Sequence, residues 1–206
     1  MTIVEDATAG RRDRKKRQTR DALVSAALRL VAERGLDQVT VEEISEAADV
    51  SARTFFNYFS SKDEALVGDQ AGDSERVLAV LATVPPEVPA LEAVRLALTP
   101  MLEEMQADSA LWLLRLKVVA QNPSLLPRLV AGSVETERLT TEALAARTGV
   151  GPDHVYPALV TAVTGAAFRI AIIRWSASGG SLPLTDLVDE AFAGVAAGLP
   201  DPRSAA

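Results

Sequence analysis

Residues 51–62 read SARTFFNYFSSK and set four aromatic rings, Phe55, Phe56, Tyr58 and Phe59, within five positions. The 206-residue chain is otherwise sparing with aromatics (five Phe, two Tyr, two Trp), so nearly half of them stand here. Ser51, Ala52, Arg53, Thr54, Asn57 and Lys62 surround them. The chemistry open to such a set is hydrogen bonding to nucleic acid. A guanidinium can read guanine bidentately, Ala and Thr methyls can meet a thymine methyl, and Asn, Tyr and Lys can hold phosphate oxygens. In a helix, Phe55 and Phe59 (i, i+4) share one face and lock inward. Arg53, Thr54, Asn57 and Tyr58 then face outward, with Ala52 at the tip. The competing reading is an ordinary solvated surface.

Catalytic chemistry is poorly served. The chain has no Cys and a single His, His154, which excludes disulfides, thiolate nucleophiles and Cys-based metal sites. Neither a Gly-rich phosphate loop nor a His-x-x-x-His pair appears. We expect no enzyme activity, no metal and no cofactor. His154, within GPDH, is expected to cap or pack rather than to touch a ligand. The opening MTIVEDATAG places no apolar run after a basic start. No later stretch reaches the roughly 18 uninterrupted apolar residues of a membrane span. The expectation is a soluble, cytoplasmic protein with no membrane partner.

The elements that must position residues 51–62 are legible on either side of them. DALVSAALRLVAERGL places Leu23, Ala26, Ala27, Leu30 and Val31 at helical spacing and ends at Gly35, a residue suited to a left-handed cap. TVEEISEAADV opens on Thr40 as N-cap, with Glu43 at the capping-box position and Ile44, Ala47 and Ala48 as its apolar face. Asp49 and Val50 make a brief turn. Ser51 caps a third helix predicted to run to Phe59, packing on Ile44, Ala48 and Val50. Two short helices joined by such a turn form a helix-turn-helix, whose second helix can enter the DNA major groove. Ser60 or Ser61 then caps a further helix beginning at KDEAL.

The formal net charge of −7 argues against a polyanionic partner only as an average. Residues 1–62 carry net +1 and residues 63–206 net −8, while RRDRKKRQTR at 11–20 holds seven cations and one acid. Such a run is commonly solvated and flexible. Here it precedes a helix of the reading unit, as a homeodomain arm does, and can lie on the backbone or in the minor groove. Gln18 and Arg20, nearest the helix, are the expected contacts.

From about residue 73 the chain reads as helical throughout, with breaks at VPPEVP, QNPS, TGVGPDH and SASGGSLP and no alternating strand pattern. SALWLLRLKVVAQ is apolar almost all round, as a helix buried in a bundle is. Trp112, Arg115 and Val119 share one stripe of it, and with Leu116 and Phe168 they are the candidate ligand contacts. Arg115 can meet an anionic ligand group, or snorkel or pair with a neighbouring acid. Ala158, Ala162 and Ala166 repeat every four residues beside Gly165. With Leu187, Ala191 and Val195 of the last helix they are the candidate symmetric dimer face. Trp175 is expected as pocket wall or dimer contact.

Residues 19–66, and above all ERGLDQVTVEEIS, ADVSARTFFNYF and SSKDEAL, resemble the N-terminal DNA-binding domain of the tetracycline-repressor family of bacterial regulators. The resemblance implies a homodimer that binds a double-stranded DNA operator and is released by a small molecule in its C-terminal helical domain. Carried to matching positions, it implies base contact from Ala52, Arg53, Thr54 and Phe56. It implies phosphate contact from Thr40, Ser51, Asn57, Tyr58 and Lys62. Phe56 departs from the Tyr common in the family, which removes a hydroxyl and keeps an apolar contact for a thymine methyl. The C-terminal half is similar to actinobacterial members described as binders of acyl-CoA-like ligands.

The expectation is therefore an all-α protein: a flexible basic arm over 1–17, a three-helix DNA-binding domain over 18–66, and a helical ligand-binding and dimerisation domain over 67–206. Its function would be that of a ligand-responsive repressor on a palindromic operator. The alternatives are a regulator of the same fold acting mainly through a protein partner or DNA organisation, and a helical ligand-binding or adaptor module.

Overall fold

The computed structural model describes residues 3–151 and 153–201. Among the described residues there are only helices, turns and loops. The chain divides into two compact units. One runs from the N-terminus through Asp69 and takes in Leu114–Pro127, and the other comprises Gln70–Leu113 and the chain from Arg128 onward. The boundary falls three residues beyond the expected one, and the segment 114–127 joins the first unit instead of the second.

In the first unit α1 (Ile3–Arg34) continues through the basic run that the sequence sets apart as an arm. Arg, Lys and Gln are good helix formers, and no proline interrupts the stretch. Leu23, Val24, Ala27, Leu28 and Val31 form its buried face, while Leu30 is only half-buried. That face packs on α2 (Val41–Ala47) and α4 (Lys62–Val67), and α2 packs on α3 (Ala52–Phe56). Ile44, Phe55, Phe59, Ala65 and Leu66 complete the core. Ala47, expected on the apolar face of α2, is exposed. Gly35 takes φ 88° after α1, and Gly68 takes φ 96° after α4, both outside what a side chain readily adopts.

The second unit is built on α5 (Gln70–Thr83), α6 (Ala90–Ala107), α9 (Val155–Ala177) and α10 (Leu184–Ala196), with α6 and α10 packed on each other and both against α9. Its core holds Leu81, Ala97, Leu102, Met105, Ala171, Trp175, Leu184, Val188 and Phe192. α9 is long and apolar enough in composition to cross a membrane. One side of it is nonetheless core, from Val160 through Thr164 and Ala167 to Trp175. Trp175 is fully buried, which removes it from any dimer contact, and its indole N–H has no hydrogen-bond partner among the described residues.

α8 (Leu126–Thr148) buries only Leu144 and exposes Leu126, Val130 and Val134. Near its end Arg147 donates to the carbonyls of Val84, Pro85 and Val88, closing the α5–α6 loop. α7 (Ser109–Gln121) begins in the second unit and ends in the first. It is half-buried over 111–116 with only Val118 fully buried, so its all-round apolar character does not enclose it as expected.

Candidate nucleic-acid interface

The site is assembled by caps. At Thr40 the hydroxyl accepts from the Glu43 amide at 3.2 Å while the Glu43 carboxylate accepts from the Thr40 amide at 2.9 Å, the reciprocal capping box. Glu43 also receives the Arg34 guanidinium at 2.7 Å. The Thr40 amide and that guanidinium hold the Glu43 carboxyl below the usual carboxylate range.

α2 ends in a Schellman turn. The Val50 amide donates to the Ser45 carbonyl at 2.9 Å and the Asp49 amide to that of Glu46 at 3.0 Å. Asp49 sits in the left-handed region at φ 54°, a conformation that Asp tolerates better than most residues. The turn delivers Ser51, whose hydroxyl accepts from the Thr54 amide at 3.1 Å and lies 2.9 Å from the Thr54 hydroxyl.

α3 is five residues long, shorter than the expected span to Phe59. Helical hydrogen bonding persists one turn further, from the Phe59 amide to the Phe55 carbonyl at 3.0 Å. The rings divide as the spacing predicts. Phe55 is 0 % exposed and Phe59 2 %, whereas Phe56 is 57 % exposed. Phe55 meets Phe59 with ring centroids 5.5 Å apart and meets Phe56 edge-on at the same distance. Tyr58, half-buried, tilts against Phe59 at 6.5 Å. Arg53 and Asn57 are exposed, Ala52 and Thr54 half-buried, and Arg53 has no ion pair among the described residues. The outward set can thus offer a free guanidinium, an amide and an apolar ring to a groove.

Beside the N-terminus of α3, Glu42, Ser45, Glu46, Asp49, Val50, Ser51 and Ala52 line an open hollow. The acids there leave a negative rim beside the N-terminus of α3.

Two expected DNA contacts are committed elsewhere. Lys62 donates through Nζ to the carbonyls of Leu36 at 2.7 Å and Val39 at 2.9 Å, leaving one of its three ammonium donors. Arg20 pairs with Asp69 at 3.1 Å and lies over the Phe59 ring, 5.1 Å from its centroid. A signal for Lys62 was present in the sequence: a cation at the first position of a helix opposes the helix dipole and calls for an acceptor elsewhere. Gln18 is exposed on α1, and Thr40 is exposed with its hydroxyl engaged in the capping box.

The ligand candidates divide between the two units: Trp112 and Phe168, both half-buried, belong to the second, and Arg115, Leu116 and Val119 to the first. The Arg115 guanidinium lies against Gly68, where a Cβ would come 3.3 Å from Nη1. A surface hollow of the second unit lies around Pro89, Leu91, Arg95, Asp189 and Phe192, with Arg95 bound to Glu92 and Asp189.

On α9, Ala158, Ala162 and Gly165 are exposed and Ala166 half-buried. The sequence reading missed the larger side chains of the same stripe: Val155, Leu159, Ile170 and Ile173 are each more than half exposed. Their spacing along the stripe was the available signal. Leu187 is 4 % exposed and belongs to the core face of α10, so it is not offered to a partner, while Ala191 and Val195 are half-buried. His154 caps α9, its Nδ1 accepting from the Tyr156 amide at 3.1 Å.

Comparison with known proteins agrees with this geometry. Residues 23–67 match the family model described as bacterial regulatory proteins, tetR family, and residues 88–200 match the MftR C-terminal domain. The HTH-type transcriptional regulator TcmR of Streptomyces glaucescens is 34 % identical over 81 % of this chain and 76 % of its own. Among solved structures, the Thermus thermophilus FadR repressor in complex with lauroyl-CoA is 24 % identical, with a TM-score of 0.54 over 91 % of this chain and 98 % of the other. The SmeT–triclosan complex, from a repressor of Stenotrophomonas maltophilia, is 15 % identical, with a TM-score of 0.63 over 89 % and 98 %. A helix-turn-helix that turns Arg53 and Phe56 outward over a Phe55–Phe59 core, in a chain sharing a third of its aligned positions with TcmR, places this protein in the tetR family of bacterial regulatory proteins.

Proposed function

We propose that this regulator binds a palindromic operator as a homodimer, represses transcription in the cytoplasm, and is released by a small apolar ligand of acyl-CoA-like chemistry. The observation that carries the DNA reading is the split of α3 and the turn after it into a buried side, Phe55 and Phe59, and an exposed side bearing Arg53, Phe56 and Asn57. Arg53 reads a guanine edge, Phe56 lies against a thymine methyl, and Ala52 and Thr54 fit beside them. Asn57 and Tyr58 hold phosphate oxygens and fix the register, while the Ser51 hydroxyl stays with the cap at Thr54.

The exposed stripe Val155, Leu159, Ala162, Ala166, Ile170 and Ile173 supports the dimer, because a contiguous apolar helix face of this kind marks an interaction surface. Two-fold symmetry then sets two half-sites about 34–36 Å apart or a multiple of that. The lauroyl-CoA held by the Thermus thermophilus repressor supports an acyl chain as ligand class, and triclosan in the other complex supports apolar ligands more broadly. Release requires that the ligand bind the two spacings of the reading heads with different affinity. Work of this kind is done by binding, and no bond-making step is assigned to any residue.

Selection of duplexes from a randomised pool, followed by footprinting, tests the reading. An inverted repeat protected on one face and titrated off by lauroyl-CoA or a shorter acyl-CoA is expected. Equal affinity for selected and random DNA would sink it.

A further inference from the structure

We infer that Arg20 serves DNA binding as a positioning residue, tying the point where the chain leaves the DNA-binding unit to the ring that seats the recognition helix. This rests on the reading of α3 as the DNA-contacting element. Arg20 Nη2 lies 3.1 Å from Asp69 Oδ2, and the same guanidinium stands 5.1 Å from the centre of the Phe59 ring. Asp69 is the last residue of the first unit's N-terminal segment. Phe59 is buried and touches Phe55, the ring that anchors α3, at 5.5 Å. One side chain of α1 therefore meets residues 39 and 49 positions away, its guanidinium carbon lying over the ring and one of its nitrogens on the carboxylate. A guanidinium is suited to that combination, and an ammonium is not.

The link matters because α3, at five residues, has no stability of its own and takes its orientation from Phe55 and Phe59. Freedom left in that seat must be frozen when α3 docks, which weakens binding. Side chains 31 % and 45 % exposed put the ion pair in a partly screened setting, where loss of such a pair changes an equilibrium by up to about fivefold. Asp69 holds Arg20 through one guanidinium nitrogen at 3.1 Å and competes with a phosphate for the same charge, so the two roles predict opposite signs when that carboxylate is neutralised.

The test is fluorescence anisotropy of the full chain on a duplex it has itself selected from a randomised pool, with a scrambled duplex as control. As a positioning residue, Arg20 requires its carboxylate, and Asp69→Asn weakens operator binding about two- to fivefold. Arg20→Gln weakens it by a similar factor and leaves the salt dependence unchanged. Asp69→Glu, which keeps the charge, restores binding. As a phosphate ligand, Arg20 would be freed by Asp69→Asn and binding would tighten. Tighter binding by Asp69→Asn overturns the inference, and so does a salt slope of Arg20→Gln that is shallower by about 0.9 for each phosphate no longer neutralised. Failure of the wild-type chain to prefer its selected duplex would instead overturn the reading of α3, so the two failures are distinct.

Discussion

Replacement of Lys62 by Met distinguishes a lysine that touches DNA from one that holds the fold together. Met keeps the unbranched stem and removes the ammonium, so packing is largely preserved while the bonds to Leu36 O at 2.7 Å and Val39 O at 2.9 Å disappear. Hydrogen bonds to a charged group contribute about 1.5–3 kcal/mol each. The site is only part-buried, so water can take over some of the load at the freed carbonyls. Two such bonds would give about 3–6 kcal/mol, and with water at the freed carbonyls the expected destabilisation falls to about 2–3 kcal/mol. In a chain of this length each kcal/mol moves the thermal midpoint by about 2–4 °C.

Because both tryptophans lie in the second unit, indole fluorescence is the wrong probe. Amide hydrogen exchange of Val39 and Ile44, read beside a far-UV circular dichroism melt, reports on the affected unit directly. Operator affinity should fall as the unit loosens, with the salt slope intact. A stability change below about 0.5 kcal/mol, combined with a slope reduced by about 0.9 for each phosphate released, would make Lys62 a phosphate ligand and refute the reasoning.

Three further outcomes follow from the geometry. Arg53→Ala should reduce discrimination by about 1–3 kcal/mol at one base position of each half-site, and a uniform weakening across all sequences would reassign Arg53 to a phosphate. Ile170→Asp, on a stripe more than half exposed in the monomer, should leave the melt nearly unchanged and convert a dimer to a monomer in analytical ultracentrifugation. A dimer that survives at micromolar concentration would remove that stripe from the interface. The Glu43 carboxyl, held low by the Thr40 amide and Arg34, contributes stability that is fully present above the ordinary glutamate pKa and is lost as pH falls through its lowered value. Acid titration below about pH 4 should therefore destabilise the wild-type DNA-binding unit more than it does Glu43→Gln, and parallel acid curves would contradict this.

The helix-turn-helix was legible because its signals are local. Thr40 with Glu43, Ser51 with Thr54, and the i, i+4 pair Phe55 and Phe59 each act within a turn or two, where spacing alone fixes geometry. What spacing cannot give is the partner of a charge. Lys62 finds carbonyls 23 and 26 positions away, and Arg20 finds a carboxylate well beyond that, so both looked like unattached cations beside a reading head. On α10 the row Leu187, Ala191, Val195 is apolar and evenly spaced, yet Leu187 turns to the core shared with Leu184 and Val188 while the smaller residues lie at its margin. Small residues on α9 drew attention to an exposed face, and the Leu and Ile beside them, which contribute more apolar area, went unnamed. The division of the chain was also nonlocal, since a stretch of α7 groups with helices more than forty residues earlier.

The clean division of α3 has an evolutionary consequence. The residues that support it, Ser51, Phe55 and Phe59, are disjoint from those it shows to solvent, Arg53, Phe56 and Asn57. After a gene duplication, a copy can exchange the exposed set and acquire a new address on the chromosome while its melting behaviour hardly moves, because surface substitutions away from caps and core usually change stability by no more than about 0.5 kcal/mol. Two such copies would soon ignore each other's sites while remaining superimposable.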